Sequence, residues 1–352
     1  MTLVARSGLS DHQPRSSPIG LLPGILLACI VGLVSLMVAN TEERVFGHPI
    51  VEGLVVAILL GMILRTAWTP PDRLEAGVAF TAKQVLEVAV FLLGASVDLP
   101  LLLRAGPSLA IGIVLLVVVG LAASYGIGRA MGLPHKLSVL VAGGNSICGN
   151  SAIAAIAPVI HADKRDVASA IAFTAILGVV VVIGLPFLIP PLGLSHYQYG
   201  VLAGLTVYAV PQVLAAAFPV SLLSGQVGTL VKLIRVLMLG PVVLFFAIKH
   251  RGDGDGGAEH TRFSVTRFVP WFIIGFLLLA VLRSSGMIPP PIANALRSIS
   301  GWLTVAAMAA LGLGVDLKAI SKVGRPVIMT VTASLVVLVV LSVGLIRILN
   351  IQ

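Results

Sequence analysis

Residues 143–151 read Gly-Gly-Asn-Ser-Ile-Cys-Gly-Asn-Ser, and they interrupt an apolar stretch that runs from Leu137 to Ile160. The order Gly-Asn-Ser occurs twice in them. Inside a bilayer every unpaired backbone N–H or C=O is costly, so irregular polar backbone survives there only when it is buried in protein or lines a water-filled cavity. The stretch therefore predicts a broken helix that forms part of a solute-binding site.

The composition predicts an all-α polytopic membrane protein. Of 352 residues, 58% are hydrophobic and 11% are charged, and the mean hydropathy is +1.08, far more apolar than a soluble domain. The formal net charge of +9 does not predict nucleic-acid binding, because the cations punctuate apolar segments as loop anchors do. Cys29 and Cys148 lie in apolar segments, so no disulfide, metal site or other cofactor is expected.

A sliding window of about 19 residues predicts about eleven transmembrane helices, several of them interrupted by glycine or proline. The predicted domain order is a cytoplasmic tail at 1–19, followed by a transmembrane transporter domain at 20–348. A polar cytoplasmic linker at 249–267 divides that domain. The predicted helices lie near 20–39, 50–65, 77–96, 108–128, 137–160, 167–189, 199–218, 229–248, 268–283, 297–315 and 326–347.

The distribution of lysine and arginine predicts the orientation. With eleven crossings and a cytoplasmic N-terminus, the inner segments hold more cations than the outer ones, which favours an N-in, C-out protein of the inner cell membrane. Two features weaken the bias. The segment 190–198 would be cytoplasmic and has no cation, whereas Lys164 and Arg165 would lie outside.

An internal repeat joins the two ends of the chain. Residues 93–99 read Leu-Gly-Ala-Ser-Val-Asp-Leu, and 311–317 read Leu-Gly-Leu-Gly-Val-Asp-Leu, an offset of 316 − 98 = 218. The same offset relates Arg65 to Arg283 and Gly106 to Gly324. The matched helices are the third and the tenth predicted spans, which are an odd number of spans apart and therefore cross in opposite directions. The repeat thus predicts inverted halves, with broken helices near the membrane midplane. The alternative is that this is merely a common helix-exit sequence.

The Gly-Asn-Ser pairs are the first candidate site. Gly149 permits a break in the helix, and the amides and hydroxyls of Asn145, Ser146, Asn150 and Ser151 supply neutral donors and acceptors. A helix that restarts after the break would point its N-terminal end at an anion. The alternative is close packing of small residues between helices.

A second candidate surrounds Pro211, which removes a helix hydrogen bond. Thr206, Tyr208 and Gln212 could face a cavity there, and Tyr208 and Gln212 would share one helical face. The alternative is a simple proline kink whose polar groups bond to neighbouring helices.

Four charged residues complete the predicted site. Lys232 and Arg235, three residues apart, could attract an anion, or else extend to the membrane surface as anchors. Glu87 lies near the middle of a predicted span, with Lys83 one turn earlier. It is a candidate proton-coupling group, and the alternative is a structural Lys83–Glu87 pair. No catalytic motif accompanies these residues, so an enzyme is not expected.

The motif Gly-x-Ser-x-x-Gly-x-Ser-Ala-Ile-Ala-Ala-x-Ala-Pro at 144–158 resembles that of the YeiH/TauZ-like family named for sulfate export, within the bile-acid/arsenite/riboflavin transporter superfamily. Val-Lys-Leu-Ile-Arg-Val-Leu-Met-Leu-Gly-Pro at 231–241 and Ala-x-x-x-Leu-Gly-Leu at 307–313 are similar to later landmarks of that family. The resemblance implies an inverted-repeat secondary transporter. The chain departs from the family pattern at Asn145 and Asn150, and at 206–212, where a His and a Glu are absent.

These observations predict a secondary transporter that exports a small anion, sulfate or a related sulfur oxyanion by resemblance. The alternatives are a proton- or sodium-coupled antiporter of another solute, and a membrane sensor or scaffold that transports nothing. The predicted partners are the anion and the lipid bilayer, and a homodimer is left open.

Overall fold

A computed structural model describes residues 18–46, 53–68, 70–96, 106–249, 270–315 and 325–351. These ranges contain helices and turns and no strand, which confirms the predicted all-α class. Residues 1–17 of the predicted tail, most of the linker at 249–267, and the repeat residues Asp98 and Asp316 lie outside the described residues, whereas the last two residues of the predicted tail already belong to the first helix.

The α-helices of the first part of the chain are interrupted by short π-helical and 3₁₀ segments. Two of those segments are π-helical, at Thr81–Val85 and Gly144–Cys148. The helices are α1 (Pro18–Phe46), α2 (Gly53–Ala67), α3 (Asp72–Phe80), α4 (Leu86–Leu93), α5 (Gly106–Ala130), α6 (His135–Gly143), α7 (Asn150–Ile156), α8 (Lys164–Gly184) and α9 (Ile189–Leu192).

The remaining helices begin at sequence signals that a hydropathy window does not detect. The eighth and tenth predicted spans each begin seven residues earlier than expected. Ser221 caps the helix of the eighth span by accepting a hydrogen bond from the backbone N–H of Ser224 (3.0 Å). Pro290 is the first residue of the helix of the tenth span. The helices are α10 (His196–Thr206), α11 (Val210–Ala217), α12 (Leu222–Leu237), α13 (Leu239–Lys249), α14 (Trp271–Ser284), α15 (Pro290–Leu313) and α16 (Arg325–Ile348).

The helix lengths and surfaces are those of a membrane protein. Six described helical segments are long and apolar enough to cross a bilayer, and three shorter apolar ones lie at Gly53–Ala67, Leu177–Leu192 and Trp271–Ser284. Large apolar side chains remain exposed along the long helices, for example Ile30 (58%), Leu115 (58%) and Val340 (64%). A water-exposed surface of this kind would be unfavourable, whereas lipid chains solvate it.

The fifth predicted span is not one continuous helix, because it breaks at Gly149 and doubles back. Its two ends lie side by side, because Lys136 Nζ donates to the carbonyl of His161 (2.7 Å). The returning arm packs against the entering arm, and a Cβ on Gly144 would lie 2.9 Å from Cδ1 of Ile153. The segment 135–161 is therefore a re-entrant helical hairpin, here called hairpin 1, with its tip at Gly149.

The seventh predicted span is a second hairpin, at 196–221 (hairpin 2). The Tyr199 hydroxyl donates to the carbonyl of Ala216 (2.8 Å), and the Ser224 hydroxyl donates to that of His196 (2.7 Å). The entry and exit of the segment are thus close together. The prediction of eleven crossing helices is not confirmed, because a hydropathy window cannot distinguish a helix that crosses from two half-helices that return.

The helices pack into two groups. Group A contains α1 to α4, α14 and α15, and group B contains α5 to α13 and α16. Fewer contacts join the groups: α11 packs against α2 and α15, and α8 against α2. In addition, Gln226 Nε2 donates to the carbonyl of Ser96 (2.8 Å). Both hairpins belong to group B.

The sequence repeat has a structural counterpart. Adding 218 to the residue numbers at which α2 and α3 begin gives the residue numbers at which α14 and α15 begin. Adding 218 to the last residue number of α5 gives the last residue number of α16. A Cβ on Gly94 would overlap the carbonyl oxygen of Phe276, and a Cβ on Gly312 would overlap that of Ile58. These two contacts are related by 312 − 94 = 276 − 58 = 218. In one contact the glycine belongs to the first half of the chain, and in the other it belongs to the second half. A two-fold axis that relates the halves produces such a pair of contacts.

Candidate functional site

The tips of the two hairpins meet inside group B. Gly149 has φ 65° and ψ −126°, a conformation that glycine adopts readily and other residues avoid. Its Cα faces Tyr208, such that an added Cβ would lie 3.1 Å from the Cβ of Tyr208. The two chain breaks predicted from glycine and proline are therefore parts of one site.

Each tip contains the C-terminal end of one half-helix and the N-terminal end of the next. In hairpin 2, α10 ends at Thr206 and α11 begins at Val210, with extended backbone between them. Pro211 has no N–H to donate to the carbonyl of Val207. The N–H of Ala209 bonds to Oε1 of Gln212 (3.2 Å). The last carbonyls of α10 are thus left without helical partners.

Lys232 of α12 binds the carbonyl ends of both hairpins. Its Nζ donates to the carbonyls of Ile147 in hairpin 1 (2.6 Å) and Val207 in hairpin 2 (2.9 Å). Its side chain is fully buried. A cation at two helix C-termini satisfies orphan carbonyls and interacts favourably with both helix dipoles.

Arg235, one turn later, completes the same junction and is also fully buried. Its Nε donates to the carbonyl of Ser146 (2.9 Å) and its Nη2 to that of Asn145 (2.7 Å). Its Nη1 donates to Gly204 (3.2 Å) and also to Leu205. The planar guanidinium therefore connects the two half-helix ends with four hydrogen bonds. Membrane-surface anchoring, one of the two predictions for this pair, is wrong.

Neither cation forms an ion pair with a carboxylate among the residues that the structure describes. Lys232 and Arg235 face two helix C-termini that carry partial negative charge, but the N-terminal ends of α7 and α11 at the same tips carry partial positive charge, so the helix dipoles do not neutralise the pair. The junction is therefore electropositive, and a bound anion would complete its charge balance.

Several buried polar atoms at the junction have no hydrogen-bond partner in the structure. They include Oδ1 of Asn145, Oγ of Ser146 and the hydroxyl of Tyr208. Buried polar groups are nearly always satisfied in native proteins, and exceptions point to a missing ligand, ion or water. Hydroxyl groups can donate to an anion's oxygens or accept from water.

The sequence did not identify two further serines beside these atoms. Nδ2 of Asn145 lies 3.5 Å from Oγ of Ser124 on α5. Gly112 faces Leu345, Gly120 faces Leu338 and Gly128 faces Thr330, so α5 and α16 run antiparallel. In that register Ser334, whose Oγ is also unsatisfied, is level with Ser124. The repeat does not mark these serines, because the residue related to Ser124 by 218 is Ser342, whose hydroxyl bonds within its own helix to Leu338 (2.7 Å).

The other predicted residues lie around the tips in different settings. Asn150 and Ser151, at the start of α7, are exposed, and Oδ1 of Asn150 accepts from the hydroxyl of Thr174 (2.6 Å). The hydroxyl of Thr206 donates within its own helix, to Leu202 (2.7 Å). The prediction that Tyr208 and Gln212 share one helical face is wrong, because the break at 207–209 separates them.

Lys83 and Glu87 lie in group A, away from the hairpins. Oε2 of Glu87 accepts from the indole N–H of Trp271 on α14 (2.8 Å). Lys83 is exposed and belongs to the π-helical segment Thr81–Val85. The structure thus pairs Glu87 with Trp271 and not with Lys83, because the π-helical turns change the angular spacing along the helix.

A cavity of about 540 Å³ lies where group A meets hairpin 2. Its walls come from α1, α2, α4 and α15, and Phe218 at the end of α11 forms the opposite side. Arg297 is the charged residue among its lining side chains. The cavity separates the groups next to the hairpin that carries Tyr208.

Two groups of apolar helices and a pair of opposed re-entrant hairpins define a polytopic membrane protein with a buried polar junction. A family model described as "Conserved hypothetical protein 698" matches residues 23–331. A UPF0324 membrane protein of Bradyrhizobium diazoefficiens is 54% identical over 345 residues, 97% of each chain. One from Brucella melitensis is 52% identical over 94% of this chain and 92% of its own. One from Bacillus cereus is 34% identical over 83% of both. The chain therefore belongs to the UPF0324 family of membrane proteins.

Proposed function

We propose that this protein is a secondary transporter of a small anion, an exporter of sulfate or a related sulfur oxyanion across the inner cell membrane. The observation that carries the proposal is the pair of fully buried cations, Lys232 and Arg235, that hold two hairpin tips together. A buried positive charge without a carboxylate partner is costly. A transported anion that binds beside the tips would offset that cost during each cycle.

The chemistry of the junction favours an oxyanion over an apolar solute. The hydroxyls of Ser146 and Tyr208 are buried and unsatisfied, and the first-turn N–H groups of α11, next to the same break, have no partner within their own helix. Neutral donors close to an uncompensated positive charge match the several acceptor oxygens of sulfate. Asn150 and Ser151, exposed at the tip of hairpin 1, would make the first contacts with the ion.

The two helix groups supply a means of alternating access. Group B holds both hairpins and the cations, and its described contacts with group A are made mainly by α8 and α11, together with the hydrogen bond from Gln226 to Ser96. A rocking or sliding movement of group B against group A would expose the junction to one side at a time.

The alternative of proton coupling through Glu87 has less support. The carboxylate of Glu87 bonds to Trp271 in group A, and the hydrogen bonds that assemble the hairpin tips do not include it.

Efflux measurements test the anion site. Proteoliposomes loaded with labelled sulfate or sulfite are expected to release it, and Asn150→Leu and Ser151→Ala are expected to slow the release roughly tenfold. Losing one hydrogen bond to a charged group costs about 1.5 kcal/mol, which corresponds to about that factor. Ser285→Ala, which changes an exposed serine just after α14, is the matched control. Unchanged efflux in both hairpin variants would exclude the proposed anion site.

Because the two hairpins return to the side from which they enter, we propose nine crossings, with the N-terminus in the cytoplasm. Residues 161–163 then lie on the cytoplasmic side and 193–195 outside, the reverse of an eleven-span arrangement. In this proposed arrangement Lys164 and Arg165 would lie inside and the cation-free segment 190–198 outside, which agrees better with the positive-inside rule.

Cysteine labelling distinguishes the two topologies. In a background where Cys29 and Cys148 are replaced by alanine, a cysteine introduced at Arg165 is expected to be shielded from an impermeant thiol reagent in intact cells. A cysteine introduced at His196 is expected to react. Both positions are exposed at helix starts. The opposite labelling pattern would show that the hairpins cross the membrane.

A further inference from the structure

The ammonium of Lys232 lies at a position of unusual chemistry. It is held between the C-terminal ends of two half-helices that approach each other from different hairpins, by the carbonyls of Ile147 (2.6 Å) and Val207 (2.9 Å). The side chain is fully buried. In secondary transporters, half-helix C-termini and unwound carbonyls of this kind coordinate a coupling cation.

Lys232 and Arg235 do not have the same role there. Arg235 reaches four carbonyls with a rigid planar fork, which is suited to holding two chain segments in register. Lys232 presents a compact point charge with three donors, of which two have carbonyl partners. In its single charge and its carbonyl oxygen partners, the ammonium group resembles a bound alkali-metal ion.

We propose that Lys232 is a tethered cation that permanently occupies a monovalent-cation site between the hairpin tips. The protein therefore needs no sodium to assemble its anion site. It follows that removal of the side chain opens this site to a small free cation such as sodium or methylammonium. The transport part of the inference rests on the proposed anion transport, whereas the cation-binding part does not.

Thermal unfolding in detergent tests the cation-binding part. Wild type, Lys232→Ala and the control Lys249→Ala, which removes an exposed lysine at the end of α13, are compared in sodium, methylammonium and choline chloride at equal ionic strength. Wild type and Lys249→Ala are expected to have the same Tm in all three salts. Lys232→Ala is expected to unfold several degrees lower in choline, and to regain part of that loss saturably in sodium or methylammonium.

A second variant covers the case in which Lys232→Ala cannot be obtained folded. The amide of Lys232→Gln can still donate to one carbonyl, and this variant is expected to show the same order of salts with a smaller shift. A saturable increase in the Tm of the wild type with sodium would overturn the proposal, and so would the absence of any salt-specific increase in the variants.

The flux assay separates this inference from the proposed function. Wild-type sulfate efflux is expected to be unchanged when choline replaces sodium on both sides of the membrane, and a strict sodium requirement would overturn the inference. If the protein carries no sulfate or sulfite at all, the proposed function fails. The unfolding experiment still decides whether Lys232 occupies a cation site.

Discussion

Arg235→Met is expected to abolish transport and to lower the free energy of unfolding by about 3–5 kcal/mol, the usual cost of removing one partner from a buried charged network. Four hydrogen bonds to the carbonyls of Asn145, Ser146, Gly204 and Leu205 disappear. Those carbonyls cannot bond to water at this depth, and Lys232 is already engaged with two others. The hairpin tips would therefore separate. Urea or thermal unfolding in detergent, together with sulfate efflux, measures both effects.

Two further variants give this prediction its controls. Arg235→Lys keeps the charge but not the planar fork, so we expect a folded protein of intermediate stability with much reduced efflux. Arg44→Met removes an exposed arginine in the last turn of α1 and is expected to change stability by less than about 0.5 kcal/mol. A methionine variant as stable as wild type would mean that Arg235 does not hold the hairpins together.

Gly149→Ala is the second substitution expected to have a large effect, about 1–3 kcal/mol in stability with loss of transport. The φ of 65° with ψ of −126° is unfavourable for any residue with a Cβ. That Cβ would also lie 3.1 Å from the Cβ of Tyr208 on the opposing tip. The expected result is a displaced junction, measured by the same unfolding and efflux assays.

Two other glycines separate backbone strain from contact. Gly193 also has a positive φ, of 58°, but an added Cβ would meet nothing within 4 Å, and Gly126 has neither constraint. Gly193 has a ψ of 42°, in the left-handed helical region that other residues tolerate better, so Gly193→Ala is expected to show a smaller loss from strain, and Gly126→Ala no loss. Equal losses in Gly149→Ala and Gly193→Ala would indicate that neither the ψ of −126° nor the approach of Tyr208 makes Gly149 special.

The repeat shows how far the sequence can lead when a pattern depends on local register. Positions related by 218 residues predicted matched helices, and Gly94 with Phe276 and Gly312 with Ile58 form the exchanged contacts. Each glycine was visible in the sequence. Its partner was not, because the carbonyl that approaches it lies on a helix distant in the chain.

The site could be predicted in position but not in chemistry. Glycine and proline mark the breaks at Gly149 and Pro211, since both residues act on the local backbone. The role of Lys232 and Arg235 as caps of two helix ends depends on where α12 packs. Ser124 and Ser334 joined the site for the same reason, through the antiparallel contact of α5 with α16.

By itself the sequence determined the helical class, the membrane environment, the repeat and the places where helices break, because hydropathy and backbone constraints act over a few residues at a time. Tertiary structure alone decided that 135–161 and 196–221 return instead of crossing, and that residues 143–151 form the tip of a hairpin facing Tyr208. An apolar half-helix has the same composition whether the next half continues or turns back. Only its packing, and the cations that reach its carbonyl end, distinguish the two.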